Sequence, residues 1–218
     1  MKEKRAFLTD GKLALILIFI LLVIDQVIKI EVKTSMCLHE SIPITNWFEI
    51  TFIENKGMAY GMTFINKIVL TLFRIVVVTF ISIYIYKEIK KKVRTGYIVC
   101  LSLIVAGAAG NIFDSLFYGL IFSESLPYTI STFVPFGEGY APLLQGRVVD
   151  MFYFPIIDTN LPDWLPFWGG NHFVFFSPIF NFADACISVG VVLLFLFYRK
   201  ELSTISFSKN ENDKRNEK

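Results

Sequence analysis

Charge is scarce in this sequence. Asp, Glu, Lys and Arg make up 18% of its 218 residues, against about 25% in an ordinary soluble domain. Apolar residues reach 54%, aromatic residues 16%, and the mean hydropathy is +0.56. That balance excludes a soluble globular domain and reads as an integral membrane protein. The net charge of +2 is too small to argue for a nucleic-acid partner. Cysteine is sparse too: Cys37, Cys100 and Cys186 are odd in number and show no metal-ligand spacing, so neither a disulfide framework nor a metal site is expected. Two of them fall in apolar segments, where they read as small buried side chains. His172 has no second histidine or carboxylate at ligand spacing and is assigned no metal. G-x-S-x-G, H-E-x-x-H and glycine-rich phosphate loops are lacking. No cofactor is expected.

Four apolar segments, about 13–32, 68–86, 97–119 and 178–198, read as transmembrane helices. The first, behind Lys2, Lys4, Arg5 and Lys12, has the length of a signal-peptide core, but no small-x-small cleavage site follows, so it is read as an uncleaved span. Lysine and arginine crowd the N-terminus, the loop Lys87–Arg94 and the C-terminus, whereas the region between the third and fourth spans holds only Arg147. The positive-inside rule then places both termini in the cytoplasm. Residues 1–200 form one membrane domain, and 201–218, charged and poor in apolar residues, form a disordered cytoplasmic tail. After Pro43, Phe48, Ile50 and Phe52 recur with period two, which predicts a short extracytoplasmic strand or hairpin ahead of the turn at Gly57 and Gly61. The stretch from Ser123 to Phe175 is too long for an ordinary connection and is expected to have structure of its own. Its Trp164, Trp168 and phenylalanines suit an interfacial belt. Gly107-Ala108-Ala109-Gly110 would let helices approach closely. The expected fold class is therefore membrane, mainly α: four transmembrane helices, a small extracytoplasmic β element and a long extracytoplasmic loop region.

The few polar residues within the spans gather on one side. Asp25 lies roughly 18 Å into the first span, Asp114 about 26 Å into the third, and Asp184 about 9 Å below the outer surface. Asn111 and Asp114 are three residues apart, as are Asn181 and Asp184, so each pair shares a helical face. An ionisable side chain inside a span costs roughly 3 kcal/mol or more and marks a candidate site. Plainer readings stand beside this one: an i,i+4 ion pair for Asp25 and Lys29, and headgroup solvation for Asn111 and Asp114. Asp150 joins them from the outer region, within the apolar strip Arg147–Phe154. Two carboxylates sharing a partly dry site cannot both ionise cheaply, so one acts as an acid and the other as a base. Such a pair suits peptide hydrolysis without a metal. A small proton-coupled transporter also carries carboxylates in its spans, but nearer the midplane and between internal repeats, and no repeat is seen here. The residues alone leave hydrolase, transporter and non-catalytic scaffold open.

Five motifs in order, DQVIK (Asp25 to Lys29), ENKGMAYG (Glu54 to Gly61), GNIFD (Gly110 to Asp114), VVDMF (Val148 to Phe152) and FNFADA (Phe180 to Ala185), narrow the choice. Together they resemble lipoprotein signal peptidase, or signal peptidase II. The resemblance implies an aspartic endopeptidase of the bacterial cell (inner) membrane that cleaves prolipoproteins before the diacylglyceryl-modified lipobox cysteine. It implies Asp150 and Asp184 as the catalytic pair, facing the outer leaflet. It makes Asp25, Lys29, Asn55, Gly57, Asn111, Asp114, Arg147 and Asn181 the candidate substrate-binding set. Membrane lipid and the cyclic peptide globomycin are the further expected partners, and a monomer is expected. Two departures stand out. Ser115 occupies the position after Asp114 where the family carries arginine, with Arg147 a candidate to supply charge from another direction. The segment 123–145 looks like an insertion, a lid or a partner surface.

Overall fold

The computed structural model describes residues 9–55 and 67–203. Helix α1 (Asp10–Ser35) leads into strands β1 (Ser41–Thr45) and β2 (Phe48–Asn55), followed by α2 (Lys67–Lys90) and α3 (Thr95–Phe113). α3 continues through a π-helical turn, Asp114–Tyr118, into a last short turn, α4 (Gly119–Ile121). A long loop then reaches β3 (Val148–Tyr153), β4 (Ile157–Asn160), β5 (His172–Phe175) and α5 (Phe182–Phe197).

Among the described residues, three helical stretches, Asp10–Ser35, Lys67–Lys90 and Thr95–Ile121, are long and apolar enough to cross a membrane. They turn Leu15, Phe19, Phe73 and Phe80 outward, which suits hydrocarbon as solvent rather than water. The chain is a multi-pass membrane protein of mainly α class. Each of these helices exceeds the expected span; α2 runs on to Lys90 because Lys87 and Lys90 complement its C-terminal end. The expected fourth span, 178–198, shortens to the 16 residues of α5. Its start is delayed because Phe180 is extended and bridged to Phe152 of β3.

By internal packing the chain divides into two units. One comprises Met1–Val23, Ile75–Ala109 and Ala183–Lys218; the other comprises Ile24–Arg74 and Gly110–Phe182. In the first, Ala14, Ile85, Tyr97, Leu101, Val105 and Leu194 are among the buried core residues. The small-residue reading of the third span holds there at Gly107: a Cβ on it would lie 2.2 Å from the Ala183 carbonyl oxygen. Buried Cys100 and Cys186 fill space in the same unit as small apolar side chains.

The second unit is built on an antiparallel sheet in the order β1-β2-β3. The expected hairpin is β1–β2, and β3 joins it in a register that sets Ile53 opposite Asp150 and Asn55 opposite Val148. Phe52, Val149 and Met151 pack with Val32 and Met36 of α1 and with Tyr118 and Phe122. Strands alternate their faces, so burying Val149 and Met151 on one side puts Asp150 on the other. Segment 123–145 and Gly146 cap the end of the third helical stretch. A helix end leaves its last carbonyls without partners, and here the loop provides them. Backbone N–H groups of Gly146, Ala141, Gly137, Val134 and Tyr140 donate to the carbonyls of Ser115, Gly119, Leu120, Ile121 and Phe122 at 2.9–3.1 Å. Glycine is required for this approach: a Cβ on Gly146 would lie 2.1 Å from the Asp114 carbonyl oxygen, and one on Gly139 2.1 Å from that of Gly119.

Candidate active site

Asp25, Lys29 and Lys33 are spaced by four, so α1 presents all three from one face. Lys29 is fully buried and pairs with two carboxylates, Asp25 at 2.9 Å and Asp114 at 2.8 Å. Its third contact is a hydrogen bond donated to Asn111 Oδ1 at 2.9 Å. Gln26 ties the two carboxylates together, donating to Asp25 Oδ2 at 3.0 Å and to Asp114 Oδ1 at 2.9 Å. The Tyr118 hydroxyl donates to Gln26 Oε1 at 3.0 Å. Asp114 opens the π-helical turn, and π turns inside α-helices gather at functional sites. Headgroup solvation is thus overturned for Asn111 and Asp114: both are buried, held by a lysine that only a folded neighbour can supply.

From Lys29 the polar chain reaches β3. A lysine can only donate, so Asn111 turns its carbonyl oxygen toward Lys29. That same oxygen accepts from Asn181 Nδ2 at 3.2 Å, which fixes the Asn181 amide with its nitrogen toward Asn111. Asn181 Nδ2 also donates to Asp150 Oδ1 at 2.5 Å. The backbone explains the meeting: Phe180 and Phe152 exchange N–H···O bonds of 2.8 and 3.1 Å, which lays the start of the FNFADA motif along β3. One run of side chains, Lys29–Asn111–Asn181–Asp150, therefore joins four separate sequence motifs. It presents Asp150 as a held acceptor.

A second charged cluster gathers around Glu54, which stands opposite Val149, one rung from the Ile53–Asp150 pair. Glu54 pairs with Lys33 and, through Oε2, with Arg147 Nη1 at 3.0 Å. Ser125 accepts from Lys33 at 2.8 Å and donates to Glu54 Oε1 at 2.8 Å. Arg147 reaches Glu124 with Nη2 at 2.9 Å and lies over the Tyr140 ring at 4.9 Å. Burial works to raise the Glu54 pKa, but the Lys33 ammonium and the hydrogen bonds from Lys33, Ser125 and Arg147 outweigh it. The carboxyl is held below its ordinary range. Burial likewise opposes the charge on Arg147, yet its bonds to Glu54 and Glu124 raise its pKa further.

Of the residues expected from sequence, Asp25, Lys29, Asn111, Asp114, Asn181 and Asp150 come together. Arg147 does not join them; its guanidinium is committed to Glu54 and Glu124. Ser115, which stands in place of the arginine expected from the resemblance, donates to the Asn111 carbonyl at 2.9 Å. Asn55 ends β2 opposite Val148. Asp184 stands half-buried in the first turn of α5. Gly57 lies outside the described residues. His172 is exposed, with its Nε2 2.6 Å from Asp158 Oδ1. Sequence reasoning missed Gln26, Lys33, Glu54, Glu124 and Ser125 as members of either cluster. The period-four spacing Asp25–Lys29–Lys33 was the signal that would have found Lys33.

The fold and site together define a multi-pass membrane protein organised around a buried network of carboxylates, amides and one lysine. The signal peptidase (SPase) II model matches residues 17–199, and the chain belongs to that family. A lipoprotein signal peptidase of Porphyromonas gingivalis is 51% identical over 199 residues, covering 91% of this chain and 88% of its own length. One from Amoebophilus asiaticus is 36% identical over 83% of this chain and 75% of its own. A bacterial membrane enzyme solved at 1.9 Å by the in meso method shares the fold, with a TM-score of 0.56 and 23% identity. The match covers 90% of this chain and 96% of that one.

Proposed function

We propose that this protein removes signal peptides from bacterial prolipoproteins, cutting before the diacylglyceryl-modified lipobox cysteine as a membrane aspartic endopeptidase. Family membership over residues 17–199 carries the reading. The polar chain that ends on Asp150 supports the choice of that carboxylate. The fourth crossing is α5, about 24 Å long at 1.5 Å per residue. Both termini are cytoplasmic and the site faces the outer leaflet of the cell membrane, a reading that the lysine and arginine distribution supports.

Asp150 and Asp184 form the catalytic pair. The ionised carboxyl takes a proton from water as the water oxygen attacks the scissile carbonyl carbon. The neutral carboxyl gives its proton to the departing nitrogen, the C–N bond breaks, and a carboxylic acid and the free amine of the modified cysteine result. The pair titrates as one unit, so acid and base are not assigned to individual residues. Asn55, Asn111, Asp114 and Asn181 line the substrate site, with Asp25 and Lys29 bracing it from behind and Arg147 fixing the end of β2 beside Asn55; Gly57 joins the substrate-binding set on the family motif alone. The test is cleavage of a diacylglyceryl-modified prolipoprotein by purified wild type, Asp150→Asn and Asp184→Asn. Each variant should lose at least about 100-fold in rate. Cleavage retained by either variant would remove that aspartate from the pair, and a folded wild type without cleavage would end the peptidase reading.

A further inference from the structure

The three tryptophans of the chain, Trp47, Trp164 and Trp168, all lie outside the helices. All three are exposed, by 54%, 80% and 62%. Trp47 sits in the β1–β2 turn, and the other two at the tip of the β4–β5 hairpin. That hairpin is well built. Its register runs from Ile157 opposite Phe175 to Asn160 opposite His172. Its tip is closed by Leu161 N–H to the Asn171 carbonyl at 2.9 Å and Gly170 N–H to the Leu161 carbonyl at 3.0 Å. Its base is pinned by the Phe152–Phe180 bridge.

So ordered a structure has no need to hold bulky aromatic side chains in water, yet it does. Phe167 is 95% exposed and adopts φ 71°, a left-handed conformation that costs a bulky residue energy. Ile156, Ile157, Phe173, Phe175 and Phe176 add further exposed apolar surface. The surface continues toward Trp47. Trp47 stacks on Phe154 at 6.2 Å, Phe154 on Phe180 at 5.6 Å, and Phe180 meets Phe176 edge-on at 6.2 Å. No lysine or arginine occurs between Arg147 and Arg199.

Tryptophan and phenylalanine without basic residues are the composition of the headgroup–acyl boundary, where indole rings concentrate. Anionic phosphate recognition would instead use lysine or arginine. We propose that Trp47 and the β4–β5 hairpin seat together in the lipid interface, so that the membrane surface itself is the partner of this aromatic face. The hairpin begins directly after β3, whose Asp150 lies three residues from the strand end. Seating it therefore fixes the depth of that carboxylate relative to the lipids. The inference needs only that the protein spans a membrane and stands whether or not it is a peptidase.

The distribution of tryptophan makes the test direct, since intrinsic fluorescence reports this face with no background from the helices. The full-length protein, one copy per phosphatidylcholine nanodisc, is compared with lipid brominated near the headgroup or near the methyl end of the chains. Shallow bromines should roughly halve the emission and deep bromines should quench less, while aqueous acrylamide has little effect. Single-tryptophan variants made by Trp→Phe substitution should each show the same order. Emission indifferent to bromine but quenched by acrylamide would place the face in water and overturn the proposal. Indifference to both would mean that protein covers it, and would overturn the proposal equally.

Discussion

Lys29 is the residue whose removal should be felt most widely. Lys29→Met keeps the length and most of the packing of the side chain while deleting its charge. Asp25 and Asp114, 2% and 0% exposed, then lose a cation at 2.9 and 2.8 Å, and Asn111 loses a donor at 2.9 Å. Gln26 remains, but a neutral amide cannot balance two buried carboxylates. Breaking a buried ion pair from one side costs about 3–5 kcal/mol. With two carboxylates stranded rather than one, the upper half of that range is expected. Against a total stability of about 5–15 kcal/mol, that is a large fraction. The companion variant, Asp25→Asn/Lys29→Met/Asp114→Asn, removes the charges together. Replacing all partners of a buried network by neutral groups of similar shape is often close to neutral, so it should recover to within about 1–2 kcal/mol of wild type. Unfolding of the full chain in detergent micelles, followed by intrinsic fluorescence, measures both. A single variant within about 0.5 kcal/mol of wild type would refute the reasoning. So would a triple variant no more stable than the single one, because the cost would then lie in packing rather than in unpaired charge.

Three more predictions rest on separate contacts. Asn181→Ala deletes the 2.5 Å hydrogen bond to Asp150; bonds to charged groups are worth about 1.5–3 kcal/mol, so kcat should fall about 10- to 150-fold. A rise in KM at unchanged kcat would show instead that Asn181 serves binding alone. Gly146→Ala places a Cβ 2.1 Å from the Asp114 carbonyl oxygen and should destabilise by about 1–3 kcal/mol; an unchanged Tm would show that the loop gives way freely. For Glu54, a folded pKa below the unfolded value means that its contribution is present above about pH 4.3 and is lost as pH falls through the folded value. Glu54→Gln should therefore be less stable than wild type at pH 7, with a smaller further loss on acidification below about pH 4.3. Equal acid sensitivity of the two proteins would sink the assignment.

Much of the site was written in the sequence because polar residues in an apolar chain are conspicuous. Asp25, Asn111, Asp114, Asn181 and Asp184 each interrupt a hydrophobic run, and the cost of burying them points to a purpose. Helix rise alone led to the expectation of a common leaflet. Connectivity was less visible. No local pattern says that Phe180 will pair with β3, yet that bridge both shortens α5 and carries Asn181 to Asp150. For segment 123–145 structure of its own was expected, but not its kind: it is ordered by backbone bonds to the helix end just before it, which side-chain patterning does not encode. Arg147 shows the opposite failure. Its position three residues before Asp150 invited a role beside that carboxylate, but it lies one residue ahead of β3, and its guanidinium turns to Glu54 and Glu124.

The capped end of the third membrane helix has a consequence for exchanging parts between relatives. Its terminal carbonyls are bonded by amides of residues 134–146, and the charges of Glu124 and Arg147 close over the same turn. Helix end, loop and the residue just ahead of β3 thus form one inheritable block. A chimera that swaps only the loop would strand the carbonyls of Ser115 and Gly119 to Phe122, while one that swaps only the helix would set Gly139 and Gly146 against a backbone whose course they were not matched to. The natural seams for grafting lie ahead of Asn111 and after Arg147, and a relative with a short connection can donate its version only whole.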